Sequence, residues 1–170
     1  MLARLLLAAT LAFGTLGAAH AQRTVTFDHG GASVVLPATY VTSEQNDGTL
    51  RALFGPAADH RLEIGIRDVE GPEGVADPGV QFVRIEAQAQ KLRTFEQQGR
   101  VVFMQPAPDV EEAGKKMRVA VWYVGFGNSV AAVRLVAPQA PTLDLQLFFA
   151  KGLDDVVASV RRTRPAKPPG

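Results

Sequence analysis

Residues 117–137, MRVAVWYVGFGNSVAAVRLVA, decide the fold, because they form two apolar runs joined by a Gly-x-Gly. The first ten residues are largely apolar at both alternating sets of positions, and the last nine repeat this pattern except at Arg134. Strands that are apolar on both faces are covered above and below by other elements. We therefore expect Val121 and Trp122 to lie in a central strand of a sheet.

The Gly-x-Gly raises a choice between a phosphate-binding loop and a hairpin turn. A glycine-rich phosphate loop follows a strand and opens a helix, whose N terminus supplies the amide groups that hold the anion. Here a second apolar run follows Asn128 directly, with no third glycine and no Lys-Ser or Lys-Thr pair. The pattern predicts a hairpin turn with Gly127 and Asn128 at positive φ.

Outward from this hairpin, the alternation of apolar and polar side chains predicts further strands. These strands cover residues 23–28, 32–37, 50–54, 60–68 and 99–105. Gly30-Gly31 predicts a turn after the first strand, and Asn46-Asp47-Gly48 predicts a turn before the third. Residues 106–116, PAPDVEEAGKK, are polar and predict a loop.

Two amphipathic helices are predicted as well. Apolar residues recur at helical spacing from Val80 to Leu92, after an Asp77-Pro78 pair that is typical of a helix start, so we expect a helix over residues 79–96. A second, C-terminal helix is indicated by Leu153, Val156, Val157 and Val160. Together the elements predict an α+β fold, a single-domain α/β/α sandwich with a mostly antiparallel central sheet.

Residues 1–21 have the pattern of a secretory signal peptide, with Arg4, a short apolar run and a small-residue cleavage site at Ala19-His20-Ala21. The run is shorter than the roughly 20 residues that a membrane span needs, so no membrane span is expected. Residues 22–163 are expected to form the single domain, and residues 164–170 a disordered proline-rich tail. We expect a periplasmic protein, with secretion outside the cell as the alternative.

Charge and cysteine content exclude several classes of function. The formal net charge is +1, and loss of residues 1–21 removes Arg4 and no acidic residue, which leaves a net charge of zero. No electrostatic preference for nucleic acid follows. The chain has no cysteine, which excludes a cysteine nucleophile, a thiolate metal site and a lipid-modified cysteine. No cofactor is expected.

Few residues offer catalytic chemistry. After residue 21 the chain has two histidines, each following an aspartate, and no serine lies in a Gly-x-Ser-x-Gly elbow. If the two pairs, Asp28-His29 and Asp59-His60, lie at the same end of the sheet, they could ligate zinc or another divalent ion. The alternative, two polar turn tips, is favoured because no His-x-His or Glu-x-x-His spacing accompanies them.

Two further sets of residues are candidates for binding. Aromatic side chains could line a ligand pocket between sheet and helix, although such residues more often fill a core; they are Trp122, Tyr123, Phe126, Phe148 and Phe149. Arg61 and Arg67 alternate with the apolar residues of the strand over residues 60–68 and lie on its polar face. We expect these two arginines to contact a protein partner.

The order of elements resembles that of the PsbP-like superfamily, an α/β/α sandwich that includes PsbP and bacterial DcrB-type periplasmic proteins. LPATY, residues 36–40, is similar to a P-x-x-W/Y feature after the first hairpin, and VVASVRR, residues 156–162, is similar to the closing helix. In the first motif Tyr40 stands where tryptophan is common, and in the second Val160 replaces an aromatic residue. The resemblance implies accessory, assembly or binding proteins without a shared active site.

The sequence therefore predicts an exported, non-catalytic module that recognises a protein partner, such as an envelope accessory protein or an immunity-type protein that neutralises a toxin. The alternative is a metal-dependent or hydrolytic enzyme that uses the two Asp-His pairs. The scarcity of catalytic groups favours the binding module.

Overall fold

A computed structural model describes residues 21–55, 57–97, 99–139 and 153–163. Its strands are β1 (Gln22–Phe27), β2 (Ala32–Pro37), β3 (Val41–Glu44), β4 (Leu50–Phe54), β5 (His60–Asp68), β6 (Phe95–Gln97), β7 (Arg100–Glu112), β8 (Lys115–Phe126), β9 (Ser129–Pro138) and β10 (Arg161–Arg162). Its helices are α1 (Pro78–Ala89) and α2, of which residues 153–159 are described.

Two antiparallel sheets organise the molecule. The large sheet has the order β3–β4–β5–β9–β8–β7–β6, and the small sheet has the order β1–β2–β10. In the large sheet β5 pairs with β9 over eight residues, Arg61 to Asp68, so the first three strands join the later ones through one long ladder. The expected α+β class with an antiparallel central sheet is confirmed.

The main core lies between the large sheet, the small sheet and α2. Buried side chains of β2 and of the central strands meet the apolar side of α2 in one cluster, in which Leu62, Trp122 and Val133 are nearly inaccessible to solvent. The four residues that predict the second helix are all buried there: Leu153, Val156, Val157 and Val160. Helix α2 and the small sheet therefore share one outer layer of the sandwich.

Helix α1 forms the other outer layer and covers part of the opposite face of the large sheet. Val83 and Ala87 pack on Val101, Phe103 and Val130. The helix start approaches the β8–β9 turn closely, since the Gly79 amide donates to the Gly127 carbonyl at 2.8 Å. A Cβ on Gly79 would lie 2.2 Å from the Ser129 carbonyl oxygen, so only glycine fits at position 79 without a shift of the backbone.

The hairpin over residues 117–137 is confirmed. Strand β8 lies between β9 and β7, and Phe126 pairs with Ser129 across a two-residue turn. Gly127 has φ of 50°, whereas Asn128 is not among the residues at positive φ, so only the first of the two expected positions is left-handed. Glycine at the first central position is the type II′ arrangement, which matches the twist of a hairpin.

Helix α1 ends at Ala89, seven residues before the expected end. Lys91 has φ of 55°, its amide donates to the Gln88 carbonyl, and the Leu92 amide donates to the Ala87 carbonyl at 2.8 Å. This pair of hydrogen bonds is a Schellman motif, which stops a helix and usually has glycine where Lys91 stands. The usual glycine signal is absent from the sequence here. At the other end Pro78 begins the helix as expected, but Asp77 makes no side-chain cap.

The expected loop over residues 106–116 is largely strand. β7 continues to Glu112 and turns through Ala113 and Gly114, with φ of 50° and 74°, into β8. Two positive φ values define a type I′ turn. β6 pairs with β7 only from Arg100 to Val102, so the prolines of β7 stand on an edge, where the missing amide is tolerated. Strands β3, β6 and β10 were not predicted either.

Several sequence-based predictions lie outside the described residues. These are most of the signal peptide, the tail over residues 164–170, the first part of the C-terminal helix, and the side chains of Phe148 and Phe149. Within the described ranges no helix is long and apolar enough to cross a membrane.

Candidate binding cleft

The two Asp-His pairs lie at opposite ends of β4 and not at the same end of the sheet, as the metal hypothesis required. His60 pairs with Phe54, the last residue of β4. A Cβ on Gly48, just before β4, would lie 3.2 Å from the His29 carbonyl carbon, so His29 stands at the beginning of the strand. Five residues of strand separate the two ends by roughly 13 Å. The topology that the sequence analysis assumed is wrong because β1 and β2 form a separate sheet.

The Asp28-His29 turn binds a carboxylate of the protein itself. The backbone amides of Asp28, His29 and Gly30 donate to Glu44 at 3.1, 2.6 and 3.3 Å. His29 Nδ1 lies 3.4 Å from the same carboxylate. Desolvation raises the pKa of Glu44, but these hydrogen bonds outweigh it and hold the pKa below its usual value. The turn fastens the small sheet to β3.

The second pair is a local contact. His60 Nδ1 lies 2.8 Å from Asp59 Oδ1, and its ring packs at 5.1 Å from the Phe54 ring. The His60 side chain is only 10% exposed, which distinguishes it from the exposed His29. Across the described residues no three side chains of the types His, Cys, Asp and Glu are grouped so that they could hold a metal ion.

A network of ion pairs covers the part of the large sheet's face that α1 leaves open. Glu63 on β5 accepts from Arg134 at 2.7 Å and lies 2.9 Å from Arg61 Nε and 3.6 Å from Arg51. Arg61 also forms a bidentate pair with Glu112, at 3.1 and 2.9 Å. The bond to Glu112 raises the pKa of Arg61 and lowers the pKa of Glu112. Arg61, one of the two expected partner-binding arginines, is thus held by two internal carboxylates.

A cleft of about 570 Å³ lies on the same side of the molecule, where β5, the β3–β4 turn and the β1–β2 turn meet. Gly65 and Ala132 are small residues in its lining, and Tyr123 stacks on Phe103 with ring centroids 5.0 Å apart. The cleft is also lined by one histidine and four charged side chains: His29, Asp47, Arg67, Asp68 and Arg162.

Asp68 fixes one wall of the cleft and joins the two sheets. It accepts from Ser129 Oγ at 2.9 Å and from Arg162 Nη2 at 2.8 and 2.7 Å. Arg162 Nη1 also donates to the Gly30 carbonyl at 2.7 Å. Both Asp68 oxygens thus contact the one nitrogen Nη2, and charge-assisted hydrogen bonds of this kind are stronger than neutral ones. Asp68, Ser129 and Arg162 were not among the expected site residues, because they meet only when β10 joins β2.

Arg67 stands at the cleft without a carboxylate partner. Its guanidinium carbon lies 4.7 Å from the centre of the Phe82 ring on α1, a cation–π contact. Among the described residues it makes no hydrogen bond and no ion pair. This is the second expected partner-binding arginine. Of the expected aromatic residues, Tyr123 lines the cleft, whereas Trp122 lies in the core.

These features define an α+β sandwich with an open, polar cleft at one end of its large sheet. Among the solved structures that resemble the chain are the following two. A protein of Bacteroides thetaiotaomicron VPI-5482 matches with a TM-score of 0.60 and 15% identity over 82% of this chain, which spans 47% of that protein's length. CyanoP, the PsbP of Synechocystis sp. PCC 6803, matches with a TM-score of 0.50 and 13% identity, over 88% of this chain and 98% of CyanoP.

At these identities the likeness concerns the fold alone. The match to CyanoP agrees at that level with the resemblance to PsbP-like proteins. No family model and no curated protein matches the chain.

Proposed function

We propose that the protein is an exported, non-catalytic binding module that recognises a protein partner in the periplasm. The observation that carries this proposal is the cleft of about 570 Å³ with Arg67 at its side, exposed and without an ionic partner among the described residues. Arginine and tyrosine, both present in the lining, are enriched in the parts of interfaces that contribute most to binding. The volume of the cleft falls within the range of roughly 300–1,000 Å³ that is typical of ligand-binding clefts.

The other ionisable groups around the cleft support binding without chemistry. Asp68 is held by Ser129 and Arg162, and Asp47 accepts the Thr49 amide at 2.9 Å, which lowers the pKa of Asp47. A general acid or base must instead be within reach of a substrate proton and have a pKa near the working pH. The contacts of these carboxylates stabilise turns and sheet junctions.

The likeness of the fold to CyanoP supports the narrower proposal of a PsbP-like accessory or assembly role in the cell envelope. An immunity-type role, in which the partner is a toxin, belongs to the same class of recognition. Fold likeness does not choose between these partners, because one fold carries many functions.

Site-specific crosslinking tests the proposal, and the absence of cysteine makes the label unique. A thiol-reactive photo-crosslinker attached to Thr49→Cys lies in the cleft. The same reagent attached to Lys115→Cys lies on the exposed tip of the β7–β8 hairpin. We expect a discrete crosslinked species from the Thr49 position in envelope extract of the native cells, and none from the Lys115 position. Equal patterns from both positions, or no product from either, would contradict the proposed function.

A further inference from the structure

We propose that the cleft binds a carboxylate of an acidic, extended peptide segment, with Arg67 as the residue that takes the carboxylate and Gly65 as the floor beneath the peptide. This inference rests on the proposed function and specifies the chemistry of the partner. It follows from three features of the described residues: an arginine whose donors have no acceptor among them, a glycine in β5 with open space above it, and the pairing of Asp68 with Arg162.

The Arg67 guanidinium is positioned for a ligand. The guanidinium carbon lies 4.7 Å from the centre of the Phe82 ring, and this cation–π contact restrains the group. Its five N–H donors lie along the edge of that plane, and among the described residues none of them has a hydrogen-bond acceptor. A planar fork of donors matches the two oxygens of a carboxylate, and a restrained arginine loses less side-chain freedom when it binds one.

Gly65 leaves room for a backbone to approach. It lies in the middle of β5, which pairs with β4 on one side and β9 on the other. A Cβ placed there would meet only Thr49 Oγ1, at 3.8 Å, so the space above it is open. Glycine inside a central strand weakens that strand and often marks a site where another backbone comes close. Ala132 pairs with Gly65 and extends the same small-residue floor.

The charges beside this floor favour an anion. The charge of Asp68 is balanced by Arg162, whose Nη2 contacts both of its carboxylate oxygens. The ion-pair network next to Gly65 contains three arginines and two glutamates and therefore carries one excess positive charge. Its members are Arg51, Arg61, Glu63, Glu112 and Arg134. Asp47 is the acidic residue at the rim, and its carboxylate accepts the Thr49 amide. Arg67 is therefore the cation of the cleft lining that no described carboxylate neutralises.

The test uses ¹⁵N NMR titration of the mature protein with an acetylated, amidated hexapeptide of alternating glutamate and valine. The matched probe has glutamine in place of glutamate, and inorganic phosphate is a third probe. We expect saturable shifts of the Gly48, Gly65 and Ala132 amides with the glutamate peptide. The glutamine peptide should bind about tenfold more weakly, which corresponds to about 1.4 kcal/mol.

Two variants test separately the positive charge of Arg67 and the open space above Gly65. Arg67→Gln removes the positive charge and should weaken the glutamate peptide about tenfold, whereas Arg93→Gln changes an exposed arginine outside the cleft lining and should leave affinity unchanged. Gly65→Val keeps Arg67 but fills the floor, and it should abolish the shifts while the protein melts at or above the wild-type temperature, since valine suits a strand.

Each contrary result is informative. Equal affinity for the two peptides, unchanged affinity in Arg67→Gln, or no saturable shifts would overturn the carboxylate assignment. Shifts with phosphate but not with the glutamate peptide would assign the arginine to phosphate and overturn the peptide. A crosslink from Thr49→Cys combined with any of these results leaves the binding module intact and removes only this inference.

Discussion

Glu44 shows how far a single residue can change the interpretation of a motif. The sequence pattern around Asp28-His29-Gly30 offered side chains as candidate metal ligands, whereas the backbone amides of this turn bind the Glu44 carboxylate. Nothing in the spacing of residues 28 and 44 predicts this contact. It arises because β3 runs along the edge of the large sheet and its last residue reaches the turn of the small one.

We predict that Glu44→Gln lowers the melting temperature at pH 7. The pKa of Glu44 is lower in the folded protein than its ordinary value, so its ionised form contributes stability above the unfolded pKa of about 4.3. That contribution is lost as the pH falls through the lowered, folded pKa. The difference between variant and wild type should therefore shrink towards pH 3, as measured by thermal denaturation. Glu73→Gln, at an exposed loop position, is the control, and an equal loss in both variants contradicts the prediction.

The two faces of β8 differ in their tolerance of charge. Val124 is fully buried in the main core, whereas Val121 is half-buried and pairs directly with Arg134. We expect Val124→Asp to cost about 3–5 kcal/mol, because it buries an unpaired charge. Val121→Asp should cost clearly less, since Arg134 offers a partner. Urea denaturation measures the free energy of unfolding of both variants. Equal losses would contradict the prediction and show that both faces of β8 exclude water to the same extent.

At the scale of elements, the sequence predicted the strands and helices whose pattern is long and apolar. The hairpin over residues 117–137 and the buried side of α2 are examples, because burial on both faces of a strand leaves a continuous apolar run and burial along one side of a helix leaves apolar residues at helical spacing. The end of α1 at Ala89 could not be predicted, because Lys91 occupies a position that usually carries glycine. β10 could not be predicted either, because two residues are too few to show an alternation of apolar and polar side chains.

A residue of the site could be predicted only where the pattern of a single strand determines its position. Arg67 follows from the alternation of β5, which places it on the polar face. The Asp68–Ser129–Arg162 cluster unites residues of β5, β9 and β10, and their meeting depends on the topology of both sheets. The assumed position of the Asp-His pairs failed for the same reason.

We predict that the closest helix–hairpin contact tolerates no added methyl group. Gly79→Ala would place Cβ 2.2 Å from the Ser129 carbonyl oxygen, and Gly125→Ala would place it 2.5 Å from the Gly79 carbonyl oxygen. Each should cost about 3 kcal/mol or more, because backbone atoms must move. Gly65→Ala is the matched control: the added methyl group meets nothing closer than 3.8 Å, and restricting the unfolded chain should hold or raise stability. Chemical denaturation that ranks Gly65→Ala with the other two would refute this account of the contact.

Separation of the two histidines across β4 yields a prediction about zinc. No joint site can form from His29 and His60 while β4 lies between them, so a chelator-treated sample should bind no stoichiometric zinc. Isothermal titration calorimetry checks this. One ion per chain at micromolar affinity, lost in both His29→Ala and His60→Ala, would contradict the described topology and restore the enzyme hypothesis.

At the scale of the whole molecule, the first described strand begins next to the expected cleavage site. β1 begins at Gln22, directly after Ala21. We predict that the exported protein begins at Gln22, since Ala19 and Ala21 are the small residues that precede a cleavage site. Intact-mass spectrometry of the protein recovered from the periplasm measures this. A mass that includes residues 1–21 would remove the basis for the periplasmic assignment.

The pairing of β2 with β10 has a consequence for the order of events during synthesis. Arg161 pairs with Ser33, and the Thr163 amide donates to the Gly31 carbonyl, so the last described residues complete a sheet that the first strands begin. A ribosome adding ~5–20 residues per second makes the early hairpin wait on the order of ten seconds for its third strand. During that interval the apolar side of β2 has no α2 to cover it, so we expect the early hairpin to be only marginally stable until residues 161–163 have been made.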